Sequence, residues 1–215
     1  MQRLNLLLSV IVFLLAGCKE QPAKANPLLT ADSAATTTSQ PVETELDTVG
    51  YKIITAQLID QTPDDKLMYL IGDHQLDQLP ADYTQEYKTI MSWNKSQQAI
   101  YMIFHLEGEV ENGGFNQFYY NSRGMYHEHL PDALKLVGAH KFAALMQRAN
   151  QTFEKEKATI TKHWDGTKEG FSESYKENPL NQYDDQFYEL EKSELIETLL
   201  VKYVREHKED FVDRH

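Results

Sequence analysis

The run Glu111-Asn112-Gly113-Gly114-Phe115-Asn116-Gln117-Phe118-Tyr119-Tyr120-Asn121, followed by Ser122-Arg123-Gly124, is the densest grouping of special residue types in the chain. Asn-Gly-Gly is turn chemistry that needs a positive φ, and between helical stretches it predicts the end of one helix and the start of another. Phe115, Phe118 and Tyr119 then fall at i, i+3 and i+4, which places them on one face and anchors the corner to a core. Gln117 and Asn121, four apart, share a different face, where their amides can hydrogen-bond a ligand or a neighbouring backbone. Two uses follow: a helix–helix corner stapled by aromatics, or a small-ligand or enzymatic pocket between Asn112 and Asn121. A phosphate cradle is not expected, because no Lys or Ser/Thr stands in P-loop spacing and no strand precedes the glycines.

Eight histidines raise the question of a metal. The tightest group is Tyr126-His127-Glu128-His129, but positions i and i+2 point to different sides of a helix, and on a strand no third ligand stands near in sequence. His105 and Glu109 are four apart on one expected helix face, yet Met102, Phe104 and Leu106 mark that helix as one engaged in packing. The chain has no Gly-x-Ser-x-Gly, no His-Glu-x-x-His and no cysteine except Cys18, so no nucleophile with its base announces itself. Neither a metal, a cofactor nor a catalytic site is expected.

Carboxylates are the other chemistry on offer. There are 33 acidic against 21 basic residues, a formal net charge of −12. That balance disfavours nucleic acid or an anionic membrane surface as a partner of the domain and favours a basic protein. Glu169, Glu173 and Glu177 are four apart, which on a helix makes a stripe of carboxylates about 6 Å apart along the axis. Asp185 and Glu189 repeat the spacing. Phosphates on one DNA strand succeed one another every ~3.4 Å of axis, so such a row offers a comparable negative ladder to a basic groove. These five carboxylates are the expected partner-binding surface. The simpler use is a solvated helix face, partly relieved by Lys168, Lys176 and Lys192.

The segments that carry these groups differ sharply along the chain. Arg3 and the uncharged run from Leu4 to Ala16 end at Leu15-Ala16-Gly17-Cys18, which resembles the lipobox at which bacterial lipoproteins are cleaved and lipidated. The run is shorter than the roughly 20 residues a membrane-spanning helix needs. Residues 1–17 are therefore expected to be a signal peptide and Cys18 the lipidated residue, so the lipid alone holds the protein at the membrane. The mature chain would then hold no thiol for a disulfide, and its core must hold it. Lys19 stands where an aspartate is the usual inner-membrane retention signal, which favours the outer membrane, facing the periplasm. Lys19 through Asp47 is rich in Pro, Ala, Thr and Ser and cannot bury enough surface to offset its ordering entropy, so 18–47 is the lipidated cysteine with a flexible linker.

Residues 48–215 are expected to be one acidic α-helical domain. Leu195, Ile196, Leu199, Leu200, Tyr203 and Val204 make one helical stripe, with Ser193 as N-cap. Phe142, Leu145, Met146, Ala149 and Phe153 make a second. Leu130, Ala133, Leu134 and Val137 make a third, with Pro131 in the first turn and Gly138 after the last. Ala99, Ile100, Ile103 and Phe104 make a fourth, with Asn94 and Gln97 spaced as a capping box. Tyr51 to Leu58 reads as either a strand or a short helix. Alternation recurs nowhere else, so the fold class is all-α, a single compact bundle-like domain behind the signal peptide and linker.

The run Glu111-Asn112-Gly113-Gly114-Phe115-x-Gln117-Phe118 with Asn121 and Gly124, then Ala133-Leu134 and Val137-Gly138-Ala139, and later Asp184-Asp185-Gln186-Phe187-Tyr188, resembles the DNA-mimic-protein family over roughly Tyr83 to Phe211. The resemblance implies an all-helical fold, a homodimer, and, for the namesake, a surface of carboxylates that occupies the DNA-binding site of a transcription regulator. It implies a structural role for the motif residues. In an exported protein such mimicry requires an exported basic partner.

Replacing Cys18 with Ser is expected to block lipidation and shift the protein from the membrane to the soluble fraction or leave it uncleaved. Unchanged membrane recovery on fractionation would contradict the lipoprotein reading.

Overall fold

The computed structural model describes residues 53–122 and 124–213. The expected signal peptide, Cys18 and the expected linker to Asp47 lie outside the described residues. The chain divides into a unit of Met1–Glu43 and one of Thr44–His215, and every helix below belongs to the second. In order these are α1 (Ala56–Gln61), α2 (Asp64–Asp77), α3 (Glu86–Ser92), α4 (Lys95–Ser122), α5 (Leu130–Leu136), α6 (His140–Lys155), α7 (Lys157–Ile160), α8 (Lys168–Glu173), α9 (Asp184–Glu191) and α10 (Ile196–Glu206), with short 3₁₀ turns between some of them. The described residues contain no strand, so the all-α reading holds.

The long helix α4 is the axis of the domain and packs against α2, α3, α5 and α9. Its first part buries Ile100, Met102, Ile103, Leu106 and Val110, and its second buries Phe115, Phe118 and Tyr119. Each such side chain contributes about 1.5–3 kcal/mol of transfer free energy on leaving water. α6 turns Phe142, Leu145, Met146, Ala149 and Phe153 inward, as its stripe predicts. α10 does the same with Ile196, Leu200, Tyr203 and Val204.

Helix ends follow local chemistry in most places. The Asn94 Oδ1 accepts from the Gln97 N–H at 2.9 Å, and the Gln97 Oε1 takes the Asn94 N–H at 3.4 Å, the reciprocal cap that opens α4. α5 carries Pro131 in its first turn and closes through Gly138 at φ 85°. There the Ala139 N–H donates to Leu134 O at 2.8 Å and the Gly138 N–H to Lys135 O at 3.0 Å, the pair of bonds that ends a helix through a left-handed residue.

Ser193 is not the cap of α10, which begins at Ile196 after Leu195. The chain bends there because Glu194 turns its carboxylate to α6, accepting from the Lys141 N–H at 3.0 Å and the Phe142 N–H at 3.2 Å. α6 has no side-chain cap of its own, so this acidic group satisfies two of its free donors. Ile53 to Thr55 form neither helix nor strand, Thr55 being extended, and α1 starts at Ala56, capped by the Thr55 hydroxyl, which accepts from Leu58 N–H at 3.0 Å. Ile54 meets the chain's end, its N–H on the Asp213 carboxylate at 2.7 Å and its carbonyl receiving the Asp213 N–H at 2.9 Å.

Candidate functional site

α4 breaks at Gly113 (φ −160°, ψ 26°) and Gly114 (φ 71°, ψ −175°). The first pair begins with extended backbone that any residue adopts, whereas the second lies in a region open almost only to glycine. The helix restarts at Phe115, whose N–H is one of the donors a new helix leaves free. Asp184, 69 residues later on α9, accepts it through Oδ1 at 2.8 Å. A Cβ on Gly114 would collide with that carboxylate, and one on Gly113 would collide with the Gln117 amide and the Tyr175 hydroxyl. The carbonyls freed at the break are met as well. Tyr175 donates to Gly113 O at 2.9 Å, and Tyr188 donates to Val110 O at 2.9 Å.

Beneath the corner lies a buried polar network. Glu109 Oε2 accepts from the Gln117 amide at 2.8 Å and from the Asn121 amide at 2.9 Å, so the shared face of those two residues closes back across the break onto α4 itself. Asn116 donates to the Ser174 hydroxyl at 2.8 Å and accepts from Asn178 at 2.7 Å, while Asn178 Oδ1 takes the Leu180 N–H at 2.9 Å. Glu109, Asn116 and Gln117 are buried, and such groups persist inside a fold only when hydrogen-bonded. Phe115 meets Tyr183 and Phe187 edge-on at 5.9 and 6.0 Å, and Tyr119 stacks on Phe153 at 4.3 Å. Gly124 supplies a second left-handed turn at φ 67°, its carbonyl accepting from His127 N–H. The corner is a latch, and the amide donors expected for a ligand are engaged with Glu109.

The predicted carboxylate stripe is not formed as a row of three. α8 carries Glu169 and Glu173 but ends there, and Glu177 sits past it in a turn at φ 53°. The helix stops because Ser174 and Asn178 are drawn inward to Asn116. Glu173 is paired with Lys176 at 2.7 Å, which holds its carboxyl below the usual range. Asp185 and Glu189 do share α9 and are exposed, with Glu189 paired to Lys192 at 2.5 Å.

A different acidic set is formed by Glu107 and Glu111 of α4, Glu191 of α9 and Glu197 of α10. Glu107 feels the charge of the other three and Glu111 that of Glu197, and none of the four has an ion-pair partner among the described residues. Burial, then repulsion from Glu111, Glu191 and Glu197, holds Glu107 well above the ordinary glutamate range. Burial and Glu197 raise Glu111, and burial with Glu111 pushes Glu191 up to about 7. The one sequence signal for this set was the spacing of four between Glu107 and Glu111.

The histidines separate. His127 lies 3.4 Å from Glu154, and His129 meets the Tyr87 hydroxyl at 3.1 Å. His105 stacks on Tyr101, its Nε2 buried without a partner, and burial lowers its imidazole against the opposing pull of Glu109 and Glu86. Among the described residues no three of His, Cys, Asp and Glu converge as a metal site.

A latched helix corner set beside unneutralised carboxylates from three helices defines an acidic, all-helical domain. The family model described as DMP19-like protein matches residues 91–207, over half of the chain, and the chain belongs to that family. No curated protein and no solved structure matches it.

Gly114→Ala is expected to cost about 3 kcal/mol, from backbone strain and from displacement of the Asp184 cap. In an Asp184→Ala background the same change costs clearly less, since the collision is gone; strictly additive costs in denaturant titrations would contradict the latch. Glu191→Gln tests the cluster. A carboxyl raised from 4.5 to about 7 binds its proton more tightly in the folded state, so its stability cost grows as pH rises through that window and is complete above it. The variant should gain roughly 1 kcal/mol at pH 8, after discounting for solvent screening, and nothing at pH 4, read from melting temperatures at the two pH values.

Proposed function

We propose that this protein is a lipid-anchored envelope protein whose acidic helical domain binds a basic protein through its carboxylates, in the manner of a DNA mimic occupying a basic groove. The observation that carries the reading is the unpaired set Glu107, Glu111, Glu191 and Glu197. Crowded, partly desolvated carboxylates repel one another, and a guanidinium or ammonium placed among them restores the charged form that burial opposes. Membership of the DMP19-like family supports the reading. Asp185, Glu189, Glu169, Glu173 and Glu177 extend the negative field, with Glu173 and Glu189 contributing less because each already holds a lysine.

The lipobox-like sequence ending at Cys18 supports a lipid anchor in the outer membrane, facing the periplasm, where the domain would meet exported basic proteins and not a cytoplasmic regulator. Opposite charges steer such encounters and weaken with salt.

The test is affinity capture from envelope extracts with the protein at low and high ionic strength, beside a Glu107→Gln, Glu111→Gln, Glu191→Gln triple variant. A basic partner is expected that salt releases and that binds the variant at least tenfold more weakly. Binding indifferent to both salt and neutralisation would sink the assignment.

A further inference from the structure

His105 stands in the first half of α4, about one turn before Glu109, with its ring enclosed by aromatic side chains. It lies parallel to Tyr101 at 6.4 Å and meets Tyr126 and Phe118 edge-on at 5.6 and 6.3 Å. Its Nε2 is buried there without a hydrogen-bond partner. The two phenols beside it are committed as donors elsewhere, for Tyr101 and Tyr126 both reach Glu86 Oε1, at 3.0 and 2.8 Å. A neutral imidazole with its proton on Nδ1 fits such a place. The doubly protonated ring does not, because its Nε2–H would lack an acceptor and its charge would be withdrawn from water.

Few charges act on the ring. Burial opposes its proton, Glu109 of the same helix and Glu86 of α3 favour it, and burial prevails, so the imidazole is held below the ordinary histidine value. From α2, α5 and α9 no charged group acts on it. Of the two carboxylates, Glu109 is the one on which the corner depends. Its Oε2 holds the amides of Gln117 and Asn121, 8 and 12 residues on, and so spans the break at Gly113 and Gly114. Glu109 is buried and has no ion-pair partner among the described residues, which makes it the counter-charge at hand for an imidazolium on the same helix.

We propose that His105 is an acid-sensing element of the corner, whose protonation draws Glu109 off the Gln117 and Asn121 amides and lets the two halves of α4 move at the break. Linkage sets the sign. A histidine that holds its proton less well in the closed corner than in an opened, solvated one makes opening easier as pH falls below the ordinary 6.5. Between pH 7.5 and pH 5 a solvated histidine passes from mostly neutral to mostly charged, enough to raise the open population by roughly tenfold. The switch does not depend on what the acidic face binds.

Hydrogen exchange of the backbone amides from Phe115 to Asn121, corrected for the intrinsic rate, tests it at those two pH values in the wild-type protein and in His105→Phe, with the wild-type ring titrated by NMR. In the wild type these amides are expected to exchange about tenfold faster in acid, and in the variant to stay level. The ring is expected to titrate below 6.5. A ring that titrates at or above 6.5 overturns the proposal, and so does an acid response that survives in His105→Phe or is missing from the wild type. If His105→Phe does not fold, His105→Gln takes its place, and the wild-type titration and exchange profile decide by the same criteria.

Discussion

The Phe115 N–H rests on the Asp184 carboxylate, and from that hydrogen bond much of the domain's geometry follows. It lets α4 stop and restart within two residues, because the first free donor of the second half finds a charged acceptor in place of water. Burial and the neighbouring Asp185 raise Asp184 above the usual aspartate value, while the Phe115 N–H favours its charged form. The same bond fixes α9 against α4, and Tyr188 of α9 reinforces it through Val110 O. Two turns of α9 past Asp184, Glu191 comes to face Glu111. The corner and the acidic face are therefore one construction: the latch that bends the central helix also gathers the carboxylates.

Net charge alone does not locate function on such a surface. Many acidic residues here hold a lysine one turn away, as Glu173, Glu189 and Asp132 do, and exposed pairs of that kind are worth about 0–1 kcal/mol. They contribute a diffuse field. Glu107, Glu111 and Glu191 differ because they are partly withdrawn from water and, with the exposed Glu197 beside them, have no ion-pair partner among the described residues. A cost of that kind, held in place by a well-packed core, is what a cationic partner relieves on binding.

Features governed by near neighbours were legible in the sequence. The capping box of Asn94 and Gln97, the Pro131 to Gly138 helix, the inward stripe of α6 and the break at Gly114 each depend on residues within a turn or two. Features closed by distant residues were not. Glu194 caps a helix 52 residues away and so ends any continuation back to Ser193. Ser174 and Asn178 turn inward to Asn116, which removes Glu177 from the expected stripe. The acceptor of Phe115 and the convergence of three helices on one acidic cluster likewise arise from packing, to which a spacing of four gives only a hint.

The central claim is that these carboxylates form one uncompensated, mutually repelling set, and carboxyl-carbon NMR titration of Glu107, Glu111 and Glu191 tests it most directly. The account predicts Glu191 titrating near 7, with Glu107 and Glu111 also above the ordinary glutamate value. Three independent titrations near 4.5 would contradict it.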